Sequence, residues 1–402
     1  MFRIKERLPK GCSFTLFVVT FFYSLAITFL SPIFPLFIKH LVGNEAYVGF
    51  VISFQGVLWI LSTLVVGKLI CLTGKTRMLR ISLFGLGLSF FALVFVKNIY
   101  SLLVLEVFKT FFSTAAVFAI SLMIRDHVSK KNIGSTEGAY FSVTNSAWLF
   151  GPLLGGLIAQ AYGFNPIFLI GGLFCFSSLM IFLYDEPKYN IIKQETDNGF
   201  YSNIKDYFKQ RDLIIVYLMS ISLAFWWVFV YAYVPLYLAD LGEKIIGYIL
   251  AALVLPLILL ELPIGRLADK GSYKWLFFIG FFLLGSIAIF LSFVDNFLIF
   301  AILIISASVG AAIIEPLREA HLFKIIKSKD TRRFLVVFRT GYELGYLISP
   351  IIFSLVLIKN NTNYSDLFLI IGILMLIFAL ISLFIKEHKK IKGEVKIPVI
   401  KK

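Results

Sequence analysis

Six ionisable side chains and one asparagine interrupt apolar stretches of this chain, and their spacing limits the chemistry they can do. Glu106 and Lys109 stand three residues apart, Arg339 and Glu343 stand four apart, and Glu261, Glu315 and Asn145 stand singly. On a helix, residues three or four apart share a face. An acid beside a base in a low-dielectric setting can hold a solute group of opposite charge. It can also trade a proton as the contact with its neighbour changes. The same pairs can instead be self-neutralising contacts that only avoid a lone buried charge. Catalytic alternatives find no residues to carry them. There is no phosphate loop ending in Lys-Ser/Thr, no nucleophile elbow, and no His or Cys spacing suited to a metal. Cys12, Cys71 and Cys175 are too scattered for a disulfide framework. The expectation is a chain that is not an enzyme and needs no cofactor and no metal.

The surroundings of these residues set the solvent. The 402 residues are 59% hydrophobic and include 44 Phe, with a mean hydropathy of +0.90. A water-soluble core could not hide that much apolar surface, so the partner is a lipid bilayer. A spanning helix needs about 20 apolar residues. Twelve stretches qualify, near 13–38, 47–70, 78–96, 100–124, 136–161, 166–184, 213–238, 245–267, 274–294, 297–317, 334–358 and 366–385. The net charge is +15, which raises nucleic acid as a partner. The basic residues, however, lie in short loops rather than in one patch, and this excludes that class. Of 38 Lys and Arg, 32 fall in the two termini and the loops of one face, and four fall on the other. The positive-inside rule then places both termini in the cytoplasm. His127 and His321, each just past a helix-end Arg, read as loop residues on that side. The first apolar run, after Lys10, is too long for a signal core and lacks a cleavage pattern.

The chain also repeats itself. Pro35 matches Pro235, Gly67 matches Gly265, Arg125 matches Arg318 and Pro152 matches Pro350, at offsets of 193 to 200. Four landmarks at nearly one offset predict two six-helix halves around an axis along the membrane normal. The domain reading is 1–184, a cytoplasmic linker 185–212, 213–386, and a basic tail 387–402. Within the linker, 200–208 reads either as a short interfacial helix with Phe and Tyr toward lipid or as a solvated connection.

Here the residues reach a family. Twelve spans, a 6+6 repeat and the loop Gly265-Arg-Leu-Ala-Asp269-Lys270 resemble the major facilitator superfamily, over essentially the whole chain. The resemblance implies an all-α membrane fold and alternating access to a central cavity. The family's loop signature is Gly-x-Leu-Ala-Asp-Arg/Lys-x-Gly-Arg/Lys. The second half keeps Gly265, Leu267, Ala268, Asp269 and Lys270. The first half keeps Gly67, Leu69, Gly74 and Lys75 but has Cys71 at the acid and Leu72 at the base. Asp269 paired with Arg318 is therefore the expected cytoplasmic latch, and the gate is expected to be asymmetric. Its members are Gly67, Gly74, Arg125, Gly265, Asp269, Lys270 and Arg318.

The fifth span is similar to the family's antiporter motif, Gly-x8-Gly-x3-Gly-Pro-x2-Gly-Gly. Gly138, Gly151, Pro152, Gly155 and Gly156 match in register, and Ala147 replaces one Gly. The resemblance implies an exporter that exchanges solute for protons, while helix packing alone would also use such residues. It further implies that spans one, four, seven and ten line the cavity. That nominates Tyr23, Ser24, Thr28, Ser31, Trp226, Trp227 and Tyr231 as its wall. Ser220 and Ser222 lie on the same span.

The candidates for proton coupling or solute binding are Glu106, Lys109, Asn145, Arg339 and Glu343, with Asn145 aligned to Glu343 by the repeat. Glu261 and Glu315, near the cytoplasmic ends of their spans, read as structural. The expected function is a monomeric secondary transporter of small organic solutes, with proton-coupled export leading. An uptake symporter or facilitator for an anionic or sugar-like metabolite is the alternative, with Lys109 and Arg339 then binding the solute. A non-transporting sensor or scaffold is the different-class alternative. The expected location is the plasma membrane.

Overall fold

In a computed structural model, residues 14–126, 133–185, 200–270, 272–326 and 331–386 are described. Within them every regular element is helical. In lipid this follows from the backbone, because a helix satisfies its own polar groups without water.

The first half contains α1 (Phe14–Leu30), α2 (Phe34–Val42), α3 (Val48–Thr73), α4 (Lys75–Leu93), α5 (Ile99–Asp126), α6 (Ile133–Tyr162) and α7 (Phe164–Tyr184). A short α8 (Phe200–Phe208) follows. The second half contains α9 (Arg211–Val228), α10 (Val234–Tyr237), α11 (Glu243–Lys270), α12 (Tyr273–Leu291), α13 (Phe297–Ile325), α14 (Thr331–Lys359) and α15 (Tyr364–Ser382). Among the described residues, ten helices are long and apolar enough to cross a membrane, or eleven when the bent pair α1–α2 is counted as one span. Although 30 residues long, α6 is not among them. Its Ser, Thr and Asn side chains and its glycines dilute its hydropathy.

The two halves break at matched prolines. A 40° bend separates α1 from α2 next to Pro35. The matching α9 opens into a π turn over Phe229–Tyr233, just ahead of Pro235. A proline has no N–H to give the preceding turn, so the ladder kinks in one copy and slips by one residue in the other. Elsewhere the chain reverses on single residues. Gly74, at φ 86°, is both the end of α3 and the start of α4, a conformation that glycine adopts without strain.

Packing follows the repeat. In the first half α1 lies against α6 and α7, while α4 lies against α5 and α7. In the second, α9 lies against α13 and α14, while α12 lies against α13 and α15. Two main contacts join the halves, α3 with α14 and α6 with α11, and α2 also touches α10. Since α3 corresponds to α11 and α6 to α14, each seam is the pseudo-symmetric copy of the other.

Glycines let these seams close. A Cβ on Gly156 would meet the Glu243 carbonyl at 2.4 Å and the Gly247 Cα at 2.9 Å. One on Gly49 would meet the Tyr233 hydroxyl at 2.1 Å and the Pro350 carbonyl at 2.3 Å. At the opposite end of the molecule, where Lys68, Lys75 and Arg77 lie, Gly67 and Gly265 face open space. The halves thus touch backbone to backbone at one end, whereas these two glycines toward the basic end are uncovered.

Two expectations change. The tenth span does not stop near 317. As α13 it continues to Ile325, so His321 is a buried helix residue with its ring 4.9 Å from that of Tyr273, not a loop residue. The linker helix α8 does form, but it rests on protein rather than lipid. Tyr207 is fully buried, 5.6 Å from the Phe334 ring and 6.0 Å from the Tyr217 ring. Asp206 bonds Lys209 at 3.0 Å and Arg333 at 3.3 Å. The Lys209 bond and charge, with Arg333 beyond them, hold the Asp206 carboxyl below its ordinary range.

Candidate functional site

Between the halves lie two chambers, stacked along the molecule. The one nearer the basic end has a volume of about 530 Å³. The smaller has about 180 Å³. Ile27, Trp59, Ser113, Trp148 and Tyr346 border both. Trp59 lies 4.9 Å from Tyr346, and Trp148 lies 4.6 Å from Tyr231. These aromatic pairs, drawn from both halves, form the constriction between the chambers.

The smaller chamber is built around an ion pair. Glu106 and Lys109 sit one turn apart on α5, and the Lys109 ammonium contacts Glu106 Oε1 at 2.5 Å. Gln55 Nε2 on α3 donates to the other oxygen, Oε2, at 2.7 Å. The Glu106 side chain is wholly buried, and the ammonium also stands 4.0 Å over the Phe34 ring. Both oxygens of the acid are therefore engaged, and the cation is spent on its neighbour.

The larger chamber differs. Arg318, Glu315 and Glu319 on α13 face it, with Arg339 and Glu343 on α14. Arg318 is 8% exposed. Its Nη1 donates to Ser220 Oγ at 3.2 Å, and its guanidinium lies 5.5 Å from the Tyr342 ring and 5.8 Å from the Phe338 ring. Glu343 Oε1 accepts from Thr63 Oγ1 on α3 at 2.8 Å. On the other seam Glu261 Oε2 on α11 accepts from Asn145 Nδ2 on α6 at 3.1 Å. Thr63 and Glu261 are 198 positions apart, and so are Asn145 and Glu343. The two inter-half bonds are thus one bond made twice. Each takes its acid from the second half and its neutral donor from the first.

The predicted residues divide accordingly. Tyr23, Ser31 and Tyr231 do line the chambers, and the Tyr23 hydroxyl lies 2.8 Å from Ser113 Oγ. Ser24, Thr28, Trp226 and Trp227 are buried behind the walls. Thr28 donates to the Ala147 carbonyl at 2.9 Å, Trp226 packs on Phe229, and Trp227 stacks on Tyr231 from behind. The expected Arg339–Glu343 pair is not closed, since no ion pair joins them among the described residues. Arg318, expected at the cytoplasmic latch, is instead on the chamber wall. The side chains of Asp269, Lys270 and Arg125 lie outside the described residues.

The antiporter-like glycines serve close approach. A Cβ on Gly151 would meet Thr28 Oγ1 at 2.0 Å and one on Gly155 the Phe29 carbonyl at 2.2 Å, while Gly156 faces α11. The Pro152 carbonyl lies where a Cβ on Gly247 would meet it at 2.4 Å. Gly138 is on the first turns of α6.

Sequence reasoning missed Gln55, Trp59, Thr63, Tyr140 and Trp148, which lie on α3 and α6. The resemblance places the cavity wall on spans one, four, seven and ten, and of these two helices only α6 carries a nominated residue, Asn145. A lone Gln within the apolar run of α3 was the available signal. Glu261 and Glu315, whose places near span ends suggest a structural role, both bear on the site: Glu261 accepts the seam bond from Asn145 and Glu315 lines the larger chamber.

Two helical halves, closed at one end around a charged and aromatic chamber, define a multi-pass membrane transporter. The chain belongs to the Major Facilitator Superfamily, whose family model matches residues 16–255 and 226–400. It is similar, at 22% identity over 372 residues, to an uncharacterised MFS-type transporter of Methanocaldococcus jannaschii, with 90% of this chain and 96% of the relative covered. A multi-drug resistance efflux pump PmrA homolog of Lactococcus lactis is 25% identical over 352 residues, covering 85% and 87%. The solved structure of the nucleoside transporter NupG has a TM-score of 0.73 at 12% identity, covering 93% of this chain and 99% of that one, a likeness of fold.

Proposed function

We propose that this protein is a proton-coupled exporter of amphipathic organic solutes, working by alternating access. In this reading it has twelve spans in halves 1–184 and 213–386, both termini are cytoplasmic, and it acts as a monomer in the plasma membrane. The basic end, nearer the larger chamber, is then the cytoplasmic end, and the conformation faces inward in this reading. Relatives named as multidrug efflux pumps support the direction.

The pair of seam bonds carries the proposal. A carboxylate accepting a hydrogen bond is held about twice as strongly when charged as when neutral. Protonating Glu343 or Glu261 therefore loosens a contact between the halves. With the cytoplasmic end open, the acids release their protons and the chamber takes up solute. With the other end open, protons return and the solute leaves.

Inside-out vesicles test this with the aromatic dyes rhodamine 6G and rhodamine B. An acid lumen should drive accumulation of at least one dye, and Glu343→Gln should abolish the drive. Gradient-driven accumulation only in right-side-out vesicles with acid outside would make the protein an uptake symporter. Undiminished proton drive in both Glu343→Gln and Glu106→Gln would remove the coupling role.

A further inference from the structure

The larger chamber holds charges of both signs that do not satisfy one another. Glu315 and Arg318 are three residues apart on α13, and Arg339 and Glu343 are four apart on α14, spacings at which acid and base normally close. Neither pair is closed among the described residues, whereas Glu106 and Lys109, at the same spacing in the smaller chamber, touch at 2.5 Å. Each pole is drawn off by a different partner. Arg318 is held toward Ser220 and the faces of Phe338 and Tyr342, and Glu343 is held across the seam by Thr63. All four residues nevertheless line the cavity. The buried Arg318 Nε, Glu315 Oε2 and Glu343 Oε2 have no hydrogen-bond partner. Arg339 lines the same space and makes no ion pair among the described residues.

Charges kept apart inside a membrane protein are costly. The cost is recovered when one ligand supplies both counter-charges. We infer that the solute of this chamber is a zwitterion with an aromatic or apolar body. Its anionic group sits on Arg318, its cationic group sits between Glu315 and Glu343, and its body lies against Trp59, Trp148 and Tyr346. A guanidinium backed by aromatic faces presents its remaining N–H groups to a carboxylate as a planar fork. An ammonium or delocalised cation is taken by carboxylate oxygens and by ring faces. A volume of about 530 Å³ suits a drug-sized molecule. The inference rests on the exporter reading and narrows its substrate class.

Two matched series test it on the purified full-length protein by calorimetry. The first is L-phenylalanyl-L-phenylalanine, its C-terminal amide (cation only), its N-acetyl form (anion only) and the doubly blocked neutral form. The second is rhodamine B and its ethyl ester, which lacks the carboxylate. In at least one series the zwitterion should bind about tenfold or more tightly than any singly charged form, as expected for losing one charge-assisted hydrogen bond. Arg318→Gln should erase the gap between rhodamine B and its ester, with the zwitterion losing about tenfold or more in affinity, by the same argument.

Equal or tighter binding of the singly charged forms in both series overturns the inference. So does the absence of binding by both zwitterions. The wild-type panel decides the matter even if Arg318→Gln fails to fold. A singly charged form that binds best and is still moved by a proton gradient would leave the exporter reading standing and remove only this one.

Discussion

Replacing Thr63 by valine keeps the shape of the side chain and deletes the donor of one seam bond. Thr63 is 6% exposed and gives Glu343 Oε1 its hydrogen bond at 2.8 Å. A hydrogen bond to a charged group contributes about 1.5–3 kcal/mol. This bond joins α3 to α14, so it exists only while these helices are in register, and its loss acts on the balance between conformations rather than on either half alone. The equilibrium should shift away from the observed state by roughly 12- to 150-fold, that free energy converted at 1.4 kcal/mol per factor of ten. The assay is maleimide labelling of Ile52→Cys in a background without native cysteines. Ile52 is buried at the closed end in this conformation, beside the smaller chamber, so its labelling rate follows the population opened there. Thr63→Val should raise that rate within the stated range. Glu343→Gln should raise it comparably, and the double variant should add little, because both changes remove one interaction. A labelling rate within twofold of the parent in Thr63→Val, with Glu343→Gln strongly altered, would refute the reasoning. Glu343 would then act through some partner other than the seam.

The close approach at Gly156 predicts that Gly156→Ala lowers thermal stability by about 1–3 kcal/mol as α6 is forced from α11. Gly265→Ala, facing open space, should be neutral or slightly stabilising; equal losses at both positions would contradict the packing assigned to them. Glu106→Gln leaves Lys109 buried without its counter-charge and should cost about 3–5 kcal/mol. Glu106→Gln with Lys109→Met should recover most of that, as read by thermal unfolding, and a double variant no better than the single would argue against a self-contained pair. Tyr207→Ala should cost about 3–5 kcal/mol at a fully buried ring, and hydrogen exchange should rise across α8. The lowered Asp206 titration gives α8 a pH dependence. Its contribution is fully present above the ordinary carboxylate value near 4 and is lost as pH falls through the lower value held in the folded protein. Exchange of α8 that is flat from pH 6 to 3 would remove this tether.

Much of the architecture was legible because it depends on composition and period. Apolar runs mark the helices, and Pro35 and Pro235, legible as landmarks of the repeat, stand where two central spans break in the structure. The walls of the chamber were less legible. Polar side chains on α3 and α6 differ in no local way from polar side chains that only bond their own helix, as Ser146 does to the Ser142 carbonyl at 2.8 Å. Thr63 gains its meaning from a carboxylate 280 positions away. The separation of charges was illegible for the same reason. Spacing says that Arg339 and Glu343 can meet, but whether they do depends on competitors from other helices. Hydropathy alone ends the tenth span near 317, whereas α13 runs eight residues further and carries the Arg318 guanidinium into the protein.

The offset of 198 that reveals the duplication also shows where the copies have diverged. In both seam bonds the position from the first half is neutral, Thr63 or Asn145, and its counterpart in the second half is Glu261 or Glu343. The larger chamber repeats this bias, since among the described residues its five charged wall residues all belong to α13 and α14. The first half keeps its own buried charges, Glu106 and Lys109, closed on each other in the smaller chamber. A symmetric pair of acidic seams would place like charges on both halves and require counter-charges on each. With acids on one half only, a single side of each seam titrates, and the other offers a donor whose strength does not vary with pH. The first half then serves as the fixed frame against which the second is held or released, so swapping a seam's partners should be asymmetric. Thr63→Glu with Glu343→Thr moves the acid to the first half and preserves the bond's chemistry, yet it takes that carboxylate away from Arg339. Labelling at Ile52→Cys should return toward the parent rate in that variant while proton-driven transport stays lost. Recovery of both would show that the bond alone matters and that the side of the seam carrying the charge does not.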